Sequence, residues 1–151
     1  MREFFALCAP YELNTINAVG ILMPASIARL TTAEKYIHHA ITELFGKDIE
    51  KNFVLLVSFY DGGEPAAYQT MRNTKIDFQS RHTLNNGALF DCTTDHVQKM
   101  LWELGFNGIK AFLHFLDAMS PVNLALTKQV LAERSTLAEN LKVLQDQIPQ
   151  G

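Results

Sequence analysis

Few side chains in this sequence have the type and spacing that chemistry demands. His38 and His39 are adjacent, so on a helix they diverge by about 100°, whereas a metal pair wants positions i and i+4. Cys92 and His96 have helical spacing, but Thr94 and Asp95 supply no third ligand and nothing orients the imidazole as a base. Asp61-Gly62 and Asn86-Gly87, the latter preceded by Asn85, place a carboxylate and carboxamides at ordinary turn dipeptides. The only Gly-Lys pair is Gly46-Lys47. A phosphate-cradling loop needs Gly-x-x-x-x-Gly-Lys and then Ser or Thr; here Asp48 follows, and Ile41 stands in place of the first glycine. No Asp-x-x-Gly switch occurs. The residues therefore offer no catalytic set, no metal site and no magnesium–triphosphate site of their own.

Such side chains need a scaffold, and the composition supports one. With 151 residues and 48% apolar content, the chain can build a single-domain core. A net charge of −3 without blocks of like charge argues against nucleic acid as a partner. Cys8 and Cys92 are far apart with no metal-ligand spacing and read as free thiols. Met1–Phe5 is too short and too charged for a signal peptide. The apolar runs at 18–25 and 53–57 fall short of the ~20 residues of a membrane span. A soluble, cytoplasmic protein is expected.

The periodicity gives the elements. Glu3–Cys8 reads as the end of a helix, with Pro10 and Asn14 in the turn after it. Ile16–Ala25, holding the run Ala18–Met23 and closed by Pro24, reads as a strand buried on both faces. Thr31 and Glu34 form a capping box that opens a helix through Tyr36, Ile37, Ala40, Ile41, Leu44 and Phe45, stopped by Gly46. Phe53–Phe59 is a second apolar strand, Asp61-Gly62-Gly63 a turn, and Glu64–Met71 a short helix with Pro65 in its first turn. A third strand is expected over His82–Asn85. Asp95–Met119 is a long amphipathic helix whose apolar face runs from Val97 through Leu101, Leu104, Ile109, Phe112, Leu113 and Phe115 to Leu116. Trp102 and its Phe neighbours are expected in the core, and Gly105 and Gly108 to weaken the helix locally. Pro121 starts a separate element. Leu124–Ile148 is a final helix with Val130, Leu137, Leu141, Leu144 and Ile148 on one stripe, broken by Arg134. Strands alternating with helices imply a parallel sheet.

Several segments together resemble the septin-like and GIMAP-like branch of the GTP-binding proteins. The carriers are Met1-Arg2-Glu3-Phe4-Phe5, Asn17–Ser26 with Arg29-Leu30-Thr31, Phe45–Ile49, Leu55–Gly62, His82–Phe90, Leu101–Gly105, Met119, Pro121 and Leu124–Arg134. They occur in one order through most of the chain. In the family pattern an aromatic stands at the position of His82.

The resemblance implies an α/β fold: a truncated P-loop-GTPase-like parallel three-stranded sheet flanked by helices, with a C-terminal helical extension. Residues 1–119 would be the C-terminal half of a GTPase-like domain, and 120–151 the extension and possible start of a coiled coil. Asp61 would stand at the guanine-reading position, where a carboxylate accepts the base's N1–H and N2–H₂ donors. Asn85 and Asn86 would contact the base or brace its loop. The chain would be a partial GTP-binding domain without the phosphate side, unable to hydrolyse GTP alone, with GTP and Mg implied only for a full-length parent. The alternative is a stand-alone pseudo-GTPase acting as an interaction module, its extension binding a second copy or a partner helix.

Overall fold

A computed structural model describes residues 14–45, 47–74, 76–90 and 95–147. The helix expected at Glu3–Cys8, the Met1–Phe5 motif, Pro10, Gly46, Cys8, Cys92 and Ile148 lie outside these residues.

The core is a parallel three-stranded sheet. After a two-residue strand β1 (Thr15–Ile16) come β2 (Val19–Pro24), helix α1 (Thr32–Leu44), a 3-10 helix at Lys47–Asn52 and strand β3 (Phe53–Ser58). Helix α2 (Ala66–Arg72), strand β4 (Ser80–Thr83), a 3-10 turn at Gly87–Leu89 and helix α3 (His96–Ala118) follow. Strand β5 (Val122–Asn123) and helix α4 (Ala125–Gln147) end the described chain. The sheet order is β2-β3-β4, with Ile21 opposite Leu55 and Leu56 opposite His82. The α/β class, the parallel sheet flanked by helices and the C-terminal helix thus match the sequence-based expectation.

One face of the sheet carries the main apolar core. Ile21, Met23, Phe53, Leu55 and Val57 point toward Ala67 and Met71 of α2 and toward Ile41 of α1, forming the main apolar cluster with Ile76 and Phe78. The capping box that starts α1 forms as its sequence requires: Thr31 N–H and hydroxyl both donate to Glu34 Oε2 at 2.7 Å, and Glu34 N–H donates back to Thr31 Oγ1 at 3.2 Å. That network holds the Glu34 carboxyl below its usual range.

The opposite face is dressed unevenly by α3. In register, Leu22, Leu56 and His82 lie side by side on it. His82 packs edge-on to Phe112, with ring centroids 5.4 Å apart, and against Phe115 at 5.1 Å. Leu56 is half-buried, and Leu22 is 63% exposed. The expectation that β2 is buried on both faces is therefore corrected. Among the described residues β2 is an edge strand, and α3 sits over β4 without reaching it.

Helix α3 itself differs from the expected broad buried face. Leu101, Leu104, Phe112, Phe115 and Leu116 are half-buried, but Val97, Ile109 and Leu113 are exposed. Trp102 (54% exposed) and Phe106 (58%), expected in the core, are on the surface. The reason is the contact line. Gly105 and Gly108 sit so close to the β4 end that a Cβ on either would lie 1.9 Å from a carbonyl oxygen, of Asn85 and Thr83 respectively. The two glycines are what let the helix dock. Trp102, Phe106, Ile109 and Leu113 follow the docked positions by one residue, about 100° around the helix.

The third strand begins two residues before its expected start at His82 and ends at Thr83, leaving Leu84 and Asn85 in the loop. The β1–β5 pair was not expected. It joins Thr15 to Asn123 and Ile16 to Val122 in antiparallel register, and Leu124 N–H donates to Asn14 O at 2.7 Å. Buried Asn52 locks the same end of the sheet by donating to Asn17 O at 2.7 Å and, more weakly, to Ser120 O at 3.4 Å. Helix α4 leaves from this anchor. Leu124 and Thr127 are buried, whereas Leu137, Leu141 and Leu144 are exposed along its outer stripe.

Candidate functional site

In an open parallel sheet, ligands bind beyond the carboxyl ends of the strands. Here those ends carry three segments: Ala25–Leu30 after β2, Phe59–Gly63 after β3 and Leu84–Asn86 after β4. The last two contain every site residue read from the sequence.

The β3 loop is tightly constrained. Phe59 has φ of 55°, the one non-glycine residue with positive φ among those described, and its ring is 73% exposed. A bulky residue in the left-handed region is uncommon and costs conformational energy, so the surrounding structure must hold it. It is held from both sides: Leu84 N–H donates to Val57 O at 2.7 Å, and Tyr60 N–H donates to Leu84 O at 3.1 Å. Gly62, at φ of 100°, supplies the next left-handed step at no steric cost.

Asp61 is exposed, and its Oδ1 accepts the Gly63 N–H at 3.1 Å, an Asx turn. That bond fixes the carboxylate while leaving its other lone pairs open to solvent. Asn85 is half-buried and fully engaged. Its Nδ2 donates to Tyr60 O, and its Oδ1 accepts from Gly87 N–H at 2.7 Å. These bonds tie the β4 loop to the residue next to Asp61. Asn86 is exposed with no capping bond from its side chain. Beside it, Ala88, Leu89, Trp102 and Phe106 border a small recess of about 70 Å³.

Comparison with protein-family models, characterised proteins and solved structures gives no match.

The other constellations separate. His39 Nε2 pairs with Glu43 Oε1 at 3.2 Å on the exposed side of α1, while His38 turns inward and burial lowers its pKa. Among the described residues no group of three or more His, Cys, Asp or Glu could hold a metal, and no helix is long and apolar enough to cross a membrane. Phe59 is the residue that sequence reading missed. Its signal was present, since Phe59-Tyr60 directly precedes Asp61-Gly62, but a left-handed aromatic has no periodic signature.

Proposed function

We propose that this chain forms the guanine-reading side of a GTP-binding domain of the septin-like or GIMAP-like kind. The observation that carries the reading is the cross-braced pair of loops at the carboxyl ends of β3 and β4. They present an oriented, solvent-facing carboxylate at Asp61, an exposed aromatic at Phe59 and an exposed carboxamide at Asn86. In this reading Asp61 accepts the N1–H and N2–H₂ donors of guanine, Phe59 offers a ring for the base to lie against, and Asn85 keeps the two loops in register. Adenine has no matching donor pair.

The glycine cradle that grips a triphosphate is not among these 151 residues, and neither is an Asp-x-x-Gly switch. Backbone N–H groups, a P-loop lysine and magnesium supply most of the affinity and all of the phosphoryl-transfer chemistry in such domains. This half is accordingly a reader of the base, with GTP and Mg bound only where the cradle is supplied. A cytoplasmic setting fits that role. The exposed Leu137–Leu141–Leu144 stripe on α4 favours a second reading, a non-catalytic interaction module that meets a second copy or a partner helix through its extension.

Nucleobase selectivity tests the first reading. Guanosine monophosphate should bind the intact chain in preference to adenosine monophosphate, and Asp61→Asn should move the preference toward xanthosine monophosphate, whose ring replaces the N2 donor with an acceptor. Selectivity unchanged by Asp61→Asn removes Asp61 from the base site.

A further inference from the structure

Helices α1 and α2 leave a cleft of about 410 Å³ between them, within the size range of small-molecule sites. Neither Asp61 nor Asn85 lines it, so it is separate from the loops that would read a base. Its walls are chemically one-sided. Arg29 and Lys35 bring two cations from the β2–α1 connection and the first turn of α1, and His38 and His39 add imidazoles from the next turn. Among the described residues no carboxylate lines the cleft. The acids nearest in sequence on α1 are already engaged: Glu34 by the Thr31 cap and Glu43 by His39. Among the described residues neither Arg29 nor Lys35 has an ion-pair partner.

The rest of the lining suits a ligand with an acidic end and a compact apolar body. Leu30 and Ile76 are buried side chains that give the cleft an apolar base. The hydroxyls of Thr42, Thr70 and Thr74 donate to backbone carbonyls of His39, Ile27 and Met71 at 2.8, 2.9 and 2.7 Å. They are therefore fixed, with lone pairs left to accept. His38 Nδ1 is buried without a hydrogen-bond partner. A buried polar atom left unpaired is costly and calls for an explanation.

We propose that the α1–α2 cleft binds a small organic anion, its acidic headgroup met by Arg29 and Lys35 and its apolar body lying over Leu30 and Ile76. Two unpaired cations over an apolar base select for charge and size together. A neutral analogue of the same body loses the headgroup contacts, and a charged but purely hydrophilic ion loses the apolar ones.

Phenyl phosphate and benzyl alcohol are suitable probes, followed by amide chemical shifts of the ¹⁵N-labelled chain. The expected result is saturable shifts from phenyl phosphate at 28–30, 35–42, 70–74 and 76, with binding at least about tenfold weaker for benzyl alcohol, since charge-assisted hydrogen bonds are the strong ones. The double variant Arg29→Gln, Lys35→Gln should weaken phenyl phosphate binding by about tenfold or more. Both side chains are exposed, so its spectrum elsewhere should be unchanged. Shifts that do not saturate, shifts centred on other residues, or equal affinity for the two probes in the unmodified chain would each overturn the proposal. Phenyl phosphate affinity retained by the double variant would overturn it too.

Discussion

His82 shows how one side chain can carry a pH dependence into the sheet. Its ring sits between β4 and the Phe112–Phe115 edge of α3, with Nε2 at 2.9 Å from Ser80 Oγ. Burial lowers its pKa from the ordinary 6.5. The unfolded chain therefore takes up a proton at a higher pH than the folded one. The stabilising contribution is complete above about pH 6.5 and is lost as pH falls through the lower folded value. His38 is shifted in the same direction, also by burial, and adds to the same window. His82→Phe should keep the packing against α3 and flatten, without abolishing, the fall in stability below pH 6.5. Denaturant titrations at pH 7.5 and 5.5 check this; an acid-side loss as steep as in the unmodified chain would contradict it. At this same scale the sequence exposed Asp61, Asn85 and Asn86 as turn residues. It could not say that Asn85 spends both ends of its amide on the loops, because those partners are 25 and 2 residues away and only folding brings the first one near.

Elements with a strong local signal were legible, and those defined by tertiary contact were not. The Thr31 cap, the α1 spacing and the unbroken run of β3 each encode their own structure, so α1, β3 and the span of α3 fall within a few residues of expectation. β1 and β5 have two residues each, too few to show any period, and exist because they pair with each other. The role of the α3 glycines is likewise set by tertiary contact. Helix propensity treats Gly105 as a weakness of roughly 1 kcal/mol, but its role is close approach to Asn85. Gly105→Ala should therefore destabilise rather than stabilise. With a Cβ 1.9 Å from a carbonyl oxygen, either the helix or the β4 loop must move, and overpacking of this kind costs about 1–3 kcal/mol. The exposed control Asn107→Ala should stay within about 0.5 kcal/mol. If Gly105→Ala proves as stable as the parent in chemical denaturation, α3 does not dock through its glycines.

For the whole molecule, the dominant feature is asymmetry. Two helices pack on one face of the sheet, while the other is covered over β4 and the start of β3, where Val54 is fully buried, leaving Leu22 and the Trp102–Phe106–Ile109–Leu113 stripe in solvent. Among the described residues β2 pairs only with β3, so its outer edge keeps unpaired backbone groups. An exposed apolar edge strand is a template for association. The chain should self-associate as concentration rises, and Leu22→Lys should shift it toward monomer with little change in melting temperature, because Leu22 is already mostly exposed. Sedimentation velocity on the two proteins checks this; a monodisperse unmodified monomer would contradict it. The same asymmetry bears on function, because the constrained loops and their carboxylate lie at the carboxyl end of the sheet. The most direct test compares guanosine and adenosine monophosphates on the intact ¹⁵N-labelled chain. A guanine-reading end predicts weak, saturable shifts at 59–63 and 85–87 with the guanine nucleotide and none there with the adenine one. Equal shifts with both nucleotides, or none at those residues with either at about millimolar concentration, where affinity is worth only about 4 kcal/mol, would contradict it.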